Sequence, residues 1–389
     1  MSLLTINAGS SSLKLALYET EGPTRKLALL VERIGSPGTH LEMNRSGGTT
    51  ECNVEAKDHA DALHQVFHRF PEFFASGLRA VGHRIVHGGA DHAKPEPITP
   101  RLLNELRQIE HLDPTHMPQS LSVVDSLVRC FPDVPQFACF DTAFHRSIPD
   151  VAQRYPLPRW TAEAGVRRYG FHGLSCESIV SQLEFIDAHA SAGRVLIAHL
   201  GNGASITAMR GGSSVDTTMG FSPTGGMMMG TRSGDLDPTV MTYLTGTRAM
   251  TTQELERLVN EEAGLLGVSG NSQDMRDLLD RAESDSKAAE AIELYCYVAR
   301  KHFGALAAVL GGVDTIVFTG GIGEHAAPIR EKICNGLEYL GLRLGSERNK
   351  AHEAVISSDS SRVVARVIAT DEDLMIAKHV VRLLGERRA

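Results

Sequence analysis

The stretch LLTINAGSSSLKLALYE (residues 3–19) leads one apolar strand into a small-residue turn, Gly9-Ser10-Ser11-Ser12, and out into a second apolar strand. The stretch VLIAHLGNGASITAMRGG (195–212) repeats this arrangement with Gly201-Asn202-Gly203 at the turn. A tight turn of small residues can present backbone N–H groups and hydroxyls to a bound anion. The strand-to-helix phosphate loop GxxxxGK[ST] does not occur in the sequence.

A third glycine cluster, TIVFTGGIGEH (315–325), follows an apolar, β-branched run. Two phosphate-type turns in separate halves, with a glycine-rich strand end, indicate a nucleotide held between two related domains. We therefore expect the α/β, two-domain actin-like ATPase fold of actin, sugar kinases and heat-shock ATPases, with a duplicated βββαβαβα core and an interdomain cleft. At 389 residues the chain is long enough for two cores. We expect an N-terminal domain over 1–145, to which a C-terminal helix over 374–389 returns, and a nucleotide-binding domain over 146–373.

The composition excludes several classes of protein. The chain has 39 Lys and Arg against 47 Asp and Glu, a net charge of −8, which argues against nucleic acid and anionic membranes as partners. The longest apolar stretch, 303–313, is too short to span a bilayer. The six cysteines form no CxxC pair, which argues against zinc and disulfide frameworks. We expect a cytoplasmic metabolic protein.

Several polar residues occupy positions typical of a binding site, although each has a simpler explanation. Arg84 lies in an apolar strand, where it needs an anionic ligand or a structural ion pair. Asp141 ends a buried strand, as a ligand-binding or turn residue would. His172 lies in a loop between glycines, and Arg232 in a long loop where a nearby aspartate could pair with it. Lys14 fits an exposed strand lysine or a phosphate contact.

Seven motifs together resemble one family. They are NAGSSSLK, GHRIVHGG, FDTAFH, RYGFHG, AHLGNGAS, DTTMGFSPTGGMMMGTRSGDLDP and FTGGIGEH. In this order and spacing they are similar to those of the acetate kinases, and the resemblance extends over essentially the whole chain.

The resemblance implies a reaction and its co-substrates. It implies reversible, direct in-line transfer of a phosphoryl group from ATP to acetate, giving acetyl phosphate and ADP. The enzyme would be an ATP:acetate phosphotransferase that uses Mg²⁺, with Mn²⁺ as an alternative metal, and ATP or ADP as co-substrate. A homodimer is also implied.

The resemblance also assigns residues. The catalytic positions match Arg84, His116, Asp141, His172 and Arg232, and the metal positions match Asn7 and Glu372. The nucleotide positions match Ser12, Lys14, His199, Leu200, Gly201, Asn202, Gly203, Asp274, Met275, Arg276, Gly321, Ile322, Gly323, Glu324 and His325. The acceptor positions match Arg84, Val86, Thr115, Phe171 and Pro223.

These assignments imply roles that suit phosphoryl transfer, which needs positioning and charge neutralisation more than covalent help. Arg84 and Arg232 would grip the carboxylate and the moving phosphoryl group, and His172 would donate a hydrogen bond to that group. Asp141 would hold the arginines and help to place Mg²⁺. A general base is unnecessary because a carboxylate nucleophile is already deprotonated at neutral pH.

Other functions compete with this one. A propionate or butyrate kinase would share the chemistry and differ in pocket depth; the family usually has an aliphatic residue where this chain has Thr115. A hexose kinase has no use for two arginines at a neutral acceptor. A nucleotide-switched chaperone or regulator would need a peptide-binding or DNA-binding module, for which the chain has no spare segment.

Overall fold

The apolar runs of the sequence form one sheet in each half of the chain. The computed structural model describes residues 2–9, 11–45, 48–71, 74 and 77–386. Ser10 of the first turn and residues 387–389 of the expected C-terminal helix lie outside the described residues. The first unit takes its residues from Met1–Ala143 and Asp371–Ala389, and the second from Phe144–Thr370. The expected domain limits were 145/146 and 373/374.

The first unit contains an eight-stranded sheet with the order β5-β4-β3-β2-β1-β6-β8-β7. Strands β1 to β8 are Ser2–Ala8, Ser12–Glu19, Arg25–Glu32, His40–Arg45, Gly48–Asn53, Leu78–Ile85, Glu96–Pro97 and Gln136–Phe140. Helices α1 to α3 are His59–Arg69, Pro100–Gln108 and Met117–Cys130, with a 3-10 turn at Glu110–Leu112. Helix α2 begins where Thr99 accepts a hydrogen bond from the Leu102 amide and Pro100 supplies a preset φ.

The second unit contains a five-stranded sheet with the order β11-β10-β9-β12-β13. Strands β9 to β13 are Arg194–Leu200, Ala204–Arg210, Ser213–Thr217, Thr315–Thr319 and Val364–Val367. Helices α4 to α9 are Asp150–Gln153, Arg159–Glu163, Gly173–Ile186, Ala188–Ala192, Pro238–Arg248 and Thr252–Arg257. Helices α10 to α15 are Gly264–Ser269, Met275–Arg281, Ser286–Leu310, Gly320–His325, Ala327–Cys334 and Ser346–Lys350. Further short helical turns are Ala143–Ser147, Leu258–Glu262 and Glu338–Leu340. The last helix of the chain, α16, is Glu372–Glu386 and belongs to the first unit.

The two sheets share one topology, as the expected duplicated core requires. In the first sheet, β1 pairs antiparallel with β2 and parallel with β6, and β6 pairs parallel with β8. In the second, β9 pairs antiparallel with β10 and parallel with β12, and β12 pairs parallel with β13. The α/β fold expected from the three glycine clusters is therefore confirmed.

The first sheet is covered on both faces. Val81 packs in the core beneath α1 and α3, whereas a Cβ added at the next residue, Gly82, would lie 2.5 Å from Ile376 and 2.7 Å from Val380 of α16. Successive strand residues point to opposite faces, so α16 covers the face opposite α1 and α3. Glycine at 82 is what allows α16 to approach β6 this closely.

Candidate active site

Three parallel strands of the first unit carry polar residues at or just past their carboxyl ends. Asn7 lies near the end of β1, Arg84 near the end of β6, and Asp141 directly after β8. Because β1, β6 and β8 are parallel neighbours, these ends meet at one edge of the sheet. Ligand sites of open α/β sheets occur at such edges.

Arg84 and Asp141 form a buried ion pair at this edge. Nε of Arg84 donates to both carboxylate oxygens of Asp141 at 3.0 Å, and Nη2 donates to Oδ2. The Asp141 side chain is wholly buried, and that of Arg84 is 14% exposed. The pairing is geometrically favourable because the guanidinium fork matches a carboxylate.

Asn7 and Glu372 extend the pair into a network. Nη1 of Arg84 donates to Oδ1 of Asn7 at 3.0 Å, and Nδ2 of Asn7 donates to Oε2 of Glu372 at 3.0 Å. The same Glu372 oxygen lies 3.9 Å from Nε of Arg84. Residues from the first strand and the last helix, 365 positions apart, thus meet beside one arginine.

The network shifts the proton affinities of both members of the pair. Burial raises the pKa of Asp141 to about 6, with Glu372 adding to the rise and Arg84 opposing it. Burial works against the charge of Arg84, but Asp141 and Glu372 outweigh it and raise the pKa of Arg84. Arg84 is charged at neutral pH, and its paired hydrogen bonds to both carboxyl oxygens favour the ionised form of Asp141.

A histidine–aspartate pair completes this cluster. Nδ1 of His116 lies 3.0 Å from Oδ1 of Asp113, which is 3% exposed. Asp113 adds to the rise in the pKa of Arg84, and His116 opposes the burial-driven rise in the pKa of Asp141, so both lie near the ion pair. Asp113 was missed by the sequence analysis, although its position three residues before His116 in DPTHMPQ was the available signal.

A second cluster lies in the second unit and is built around two stacked histidines. His172 adopts a left-handed conformation with φ of 59° directly before α6. Its ring stacks on that of His199, with centroids 4.2 Å apart and planes 24° apart. Ser205 Oγ lies 2.9 Å from Nδ1 of His172, and Ser175 Oγ lies 2.8 Å from Nδ1 of His199.

The glycine turn and Arg232 adjoin the histidines. A Cβ added at Gly203 would lie 2.8 Å from Nη2 of Arg232 and 3.2 Å from Nε2 of His172. Nη1 of Arg232 donates to the carbonyl of Pro223 at 2.8 Å, which fixes the arginine within its long loop. A side chain at Gly203 would thus occupy the space that both donors face.

The two predicted anion turns share a backbone feature. The Gly9 amide donates to the Ser12 carbonyl at 2.8 Å, and the Gly201 amide donates to the Gly203 carbonyl at 3.0 Å. In the first turn, Nε2 of the buried His59 lies 2.8 Å from the Gly9 carbonyl, a contact that the sequence did not suggest. Lys14 is exposed on β2. Burial raises the pKa of Asp373, next to Glu372, to about 6, and the charge of Lys14 opposes that rise.

The third glycine cluster lies beside the second turn. Strand β12 pairs with β9, and Gly320 at its end has φ of 76°, where a Cβ would lie 2.7 Å from the Leu200 carbonyl oxygen. Residues Gly321 to His325 continue as helix α13, and Glu324 accepts a hydrogen bond from the Gly320 amide at 2.9 Å. The cluster is thereby folded against the end of β9.

The remaining expected nucleotide residues begin helix α11. Asp274 is the N-cap and accepts a hydrogen bond from the Arg276 amide at 2.8 Å. Met275 is buried, whereas the Arg276 side chain is 87% exposed. These contacts give Asp274 a local structural role and leave the Arg276 side chain facing solvent.

The expected acyl-pocket residues differ in burial and belong to different units. Val86 and Phe171 are 3% and 1% exposed, Pro223 is buried, and Thr115 is half-buried. Val86 and Thr115 lie in the first unit, and Phe171 and Pro223 in the second.

The metal positions offer oxygen atoms without a cage of protein ligands. Among the described residues, no three His, Cys, Asp or Glu side chains converge as a metal site. The oxygens of Asn7 and Glu372 nevertheless fit Mg²⁺, which commonly binds one or two carboxylates and fills its remaining positions with water and phosphate oxygens.

In the described part of the chain, no helix has the length and apolarity needed to cross a membrane.

Comparisons with known proteins agree over the full length of the chain. The sequence profile of the acetokinase family matches residues 2–378. An acetate kinase of Rhodopseudomonas palustris is 48% identical over 98% of both chains, and one of Methylocella silvestris is 42% identical over 100% of this chain and 99% of its own.

Solved structures extend the likeness to three dimensions. The acetate kinase of Porphyromonas gingivalis is 35% identical with a TM-score of 0.87, over 98% of this chain and 99% of its own. A propionate kinase of Francisella tularensis is 34% identical with a TM-score of 0.91, over 97% and 98% of the two chains. Together with the buried Arg84–Asp141 pair and the histidine–arginine cluster, these matches show that the chain belongs to the acetokinase family.

Proposed function

We propose that the chain is an acetate kinase, which transfers the γ-phosphoryl group of ATP to acetate, giving acetyl phosphate and ADP, and catalyses the reverse reaction. The buried Arg84–Asp141 pair carries this proposal. A guanidinium fixed at the end of parallel strands suits an anionic acceptor, and a neutral sugar hydroxyl has no use for it.

Arg84 keeps donors for the acceptor. Its contacts with Asp141 and Asn7 use three of its five N–H groups. The two others can donate to the carboxylate of acetate or to the phosphoryl group. Asp141, ionised at neutral pH, orients Arg84 and leaves the deprotonated acetate to act as its own nucleophile.

The second unit supplies the donors for the phosphoryl group. Arg232 and His172 both face Gly203, and donors preorganised around transferring phosphate stabilise its transition state. The turn His199 to Gly203, the cluster Gly321 to His325, and Ser12 and Lys14 bind ATP in this proposal. Asp274, Met275 and Arg276 contact the adenosine.

Asn7 and Glu372 would hold Mg²⁺, largely through water molecules, and the ion supplies charge neutralisation for the phosphates. Exchange of the Glu372 carboxylate for an amide should therefore raise the Mg²⁺ concentration needed for half-maximal activity. If the Mg²⁺ dependence of Glu372→Gln is unchanged, Glu372 does not help to hold the metal and acts only through its hydrogen bond with Asn7.

Acetate is favoured over propionate as the acceptor. Relatives that are 40–48% identical over nearly the full chain are acetate kinases, although the F. tularensis structure is that of a propionate kinase. The acyl group would contact Val86, Thr115, Phe171 and Pro223.

A homodimer is part of the proposal, and helix α8 supports it. Helix α8, all of whose residues are described, buries no side chain, and it exposes Val240 and Tyr243 to 38% and 63%. An apolar helix face that its own chain leaves uncovered is typical of an interface. Analytical ultracentrifugation should show a dimer that Tyr243→Glu weakens; a monomeric wild-type protein would exclude the dimer.

All six cysteines are free thiols, which supports a reducing, cytoplasmic location.

The acceptor assignment is tested with a coupled assay of ADP formation. Purified protein with ATP and Mg²⁺ is offered acetate, propionate, butyrate and glucose. We expect the highest kcat/KM with acetate and no turnover with glucose. A preference for glucose, or for butyrate over acetate, would overturn the assignment.

A further inference from the structure

The two stacked histidines are held in the same way by two different elements. Ser205 lies on β10 and contacts Nδ1 of His172, whereas Ser175 lies on α6 and contacts Nδ1 of His199. Both serines are at most 1% exposed. Each imidazole therefore has one nitrogen fixed by a buried hydroxyl.

With Nδ1 held, the opposite nitrogen of each ring is directed at the glycine turn. Nε2 of His172 would lie 3.2 Å from a Cβ at Gly203, and Nε2 of His199 would lie 3.8 Å from one at Gly201. Nη2 of Arg232 approaches the same side of Gly203. The turn is thus faced by two imidazole nitrogens and a guanidinium.

We propose that the hydroxyls of Ser205 and Ser175 hold His172 and His199 as neutral imidazoles that carry their proton on Nε2. The proposal rests on the proposed function, in which the turn binds phosphate. Phosphate oxygens only accept hydrogen bonds, so a histidine that contacts them through Nε2 must carry a proton there. In a neutral ring Nδ1 is then an acceptor, and a serine hydroxyl is the donor that it needs.

The stacking explains why the rings stay neutral. Two imidazolium ions with centroids 4.2 Å apart, beside the charged Arg232, would repel one another strongly. A hydroxyl can orient a neutral ring without adding charge, whereas a carboxylate in the same position would favour the imidazolium. Ser205 and Ser175 are accordingly positioning residues that act through His172 and His199.

The two serines should affect different kinetic constants. His172 contacts the phosphoryl group in flight, so Ser205→Ala should lower kcat by about tenfold or more while the KM values for ATP and acetate stay within about twofold. His199 belongs to the nucleotide site, so Ser175→Ala should mainly raise the KM for ATP. The matched control is Ser178→Ala on the same helix, where the buried hydroxyl accepts from Gln182 and should affect neither constant.

The protonation state is read independently of activity by ¹⁵N NMR of the histidine rings, with His172→Gln and His199→Gln used for assignment. We expect both rings to show a protonated Nε2 and a bare Nδ1 near neutral pH, and His172 to lose this preference in Ser205→Ala. Rings protonated at both nitrogens, or a proton on Nδ1, would overturn the proposal, as would an unchanged kcat in Ser205→Ala. Failure of the proposed function would show instead as a wild-type protein without kinase activity.

Discussion

At the scale of single residues, the network at the ends of β1, β6 and β8 depends on one arginine, whose N–H groups bond to several partners. Arg84 donates hydrogen bonds from Nε and Nη2 to Asp141 and from Nη1 to Asn7. Asn7 in turn donates a hydrogen bond to Glu372. Removing one member would leave a buried charge or amide without its partner, which costs more than the bond itself contributes. We therefore expect the loss of any one member to destabilise the whole network.

Thr115 should influence the choice between acetate and propionate. It is half-buried. In the proposed acyl pocket, a leucine at this position would fill space that an extra methylene of the substrate would occupy. One methylene in a pocket commonly changes the activation free energy that corresponds to kcat/KM by about 1 to 3 kcal/mol. We expect wild-type values for acetate and propionate within about tenfold of each other, and Thr115→Leu should shift the ratio towards acetate in a coupled assay.

The control for this substitution is Thr24→Leu, at an exposed position of the same unit. It should leave the acetate-to-propionate ratio unchanged. If Thr115→Leu leaves the ratio unchanged as well, Thr115 does not line the acyl pocket.

At the scale of elements, close packing and buried histidines hold the site-bearing strands in place. Helix α16 lies against β6 at Gly82 and presents Glu372 in its first turn. His145, in the turn after β8, places Nε2 2.8 Å from the Phe171 carbonyl oxygen and Nδ1 3.0 Å from Oγ of Ser214. The loop residue Phe171, which precedes His172, and Ser214 on β11 are thereby joined through His145 within the second unit.

Gly82→Ala should destabilise the docking of α16. The new methyl group would lie 2.5 Å from Ile376 and 2.7 Å from Val380, and overpacking of this kind costs about 1 to 3 kcal/mol. Chemical denaturation should show this loss, whereas Gly385→Ala, where nothing lies within 4 Å, should be neutral or slightly stabilising. Equal stabilities of the two variants would contradict the packing of α16 on β6.

His145 should make stability depend on pH. Burial lowers the pKa of His145 to about 4, against its ordinary value of 6.5. As the pH falls, His145 is therefore protonated in the unfolded chain before it is protonated in the folded one. Its contribution to the free energy of unfolding is complete above pH 6.5 and is lost as the pH falls towards 4. The lost stability could reach about 3 kcal/mol.

Measured by urea denaturation from pH 7 to pH 4.5, His145→Gln should lose less stability on acidification than the wild type. His64→Gln, at an exposed position of α1, is the control and should follow the wild-type curve. Parallel curves for wild type and His145→Gln would show that His145 is not buried as a neutral ring.

Much of the fold follows from the sequence because its signals are local. The apolar period predicts a helix over 285–311, and the structure has Ser286–Leu310. The unperiodic stretch 216–238 forms no helix or strand between Thr217 and Pro238, and its Met227 to Met229 are buried as an ordered loop requires.

The site is less predictable because its contacts are long-range. Arg84 in an apolar strand already indicated a partner, and Asp141 proved to be that partner. The contacts of His59 with Gly9 and of Ser205 with His172 join residues 50 and 33 positions apart. No local spacing encodes them, since only the folded sheets bring these residues together.

At the scale of the whole molecule, two units of the same topology carry different chemistry. The first unit places a carboxylate-paired arginine at the ends of β1, β6 and β8, and the second places two histidines and Arg232 at its glycine turn. In the proposed reaction, the first unit binds the acceptor and the metal, and the second binds the nucleotide. The same topology thus carries different charged groups in its two copies, an arginine paired with a carboxylate in the first and an arginine beside two histidines in the second.

The central claim, phosphoryl transfer to a carboxylate supported by Arg232, is tested most directly by ³¹P NMR of the protein with ATP, Mg²⁺ and acetate. The account predicts resonances of acetyl phosphate and ADP that grow together, at a rate lowered about 10²-fold or more in a folded Arg232→Ala variant. Arg101→Ala, at an 86% exposed position, should retain the wild-type rate. Formation of ADP without acetyl phosphate, or an Arg232→Ala variant as fast as the wild type, would contradict it.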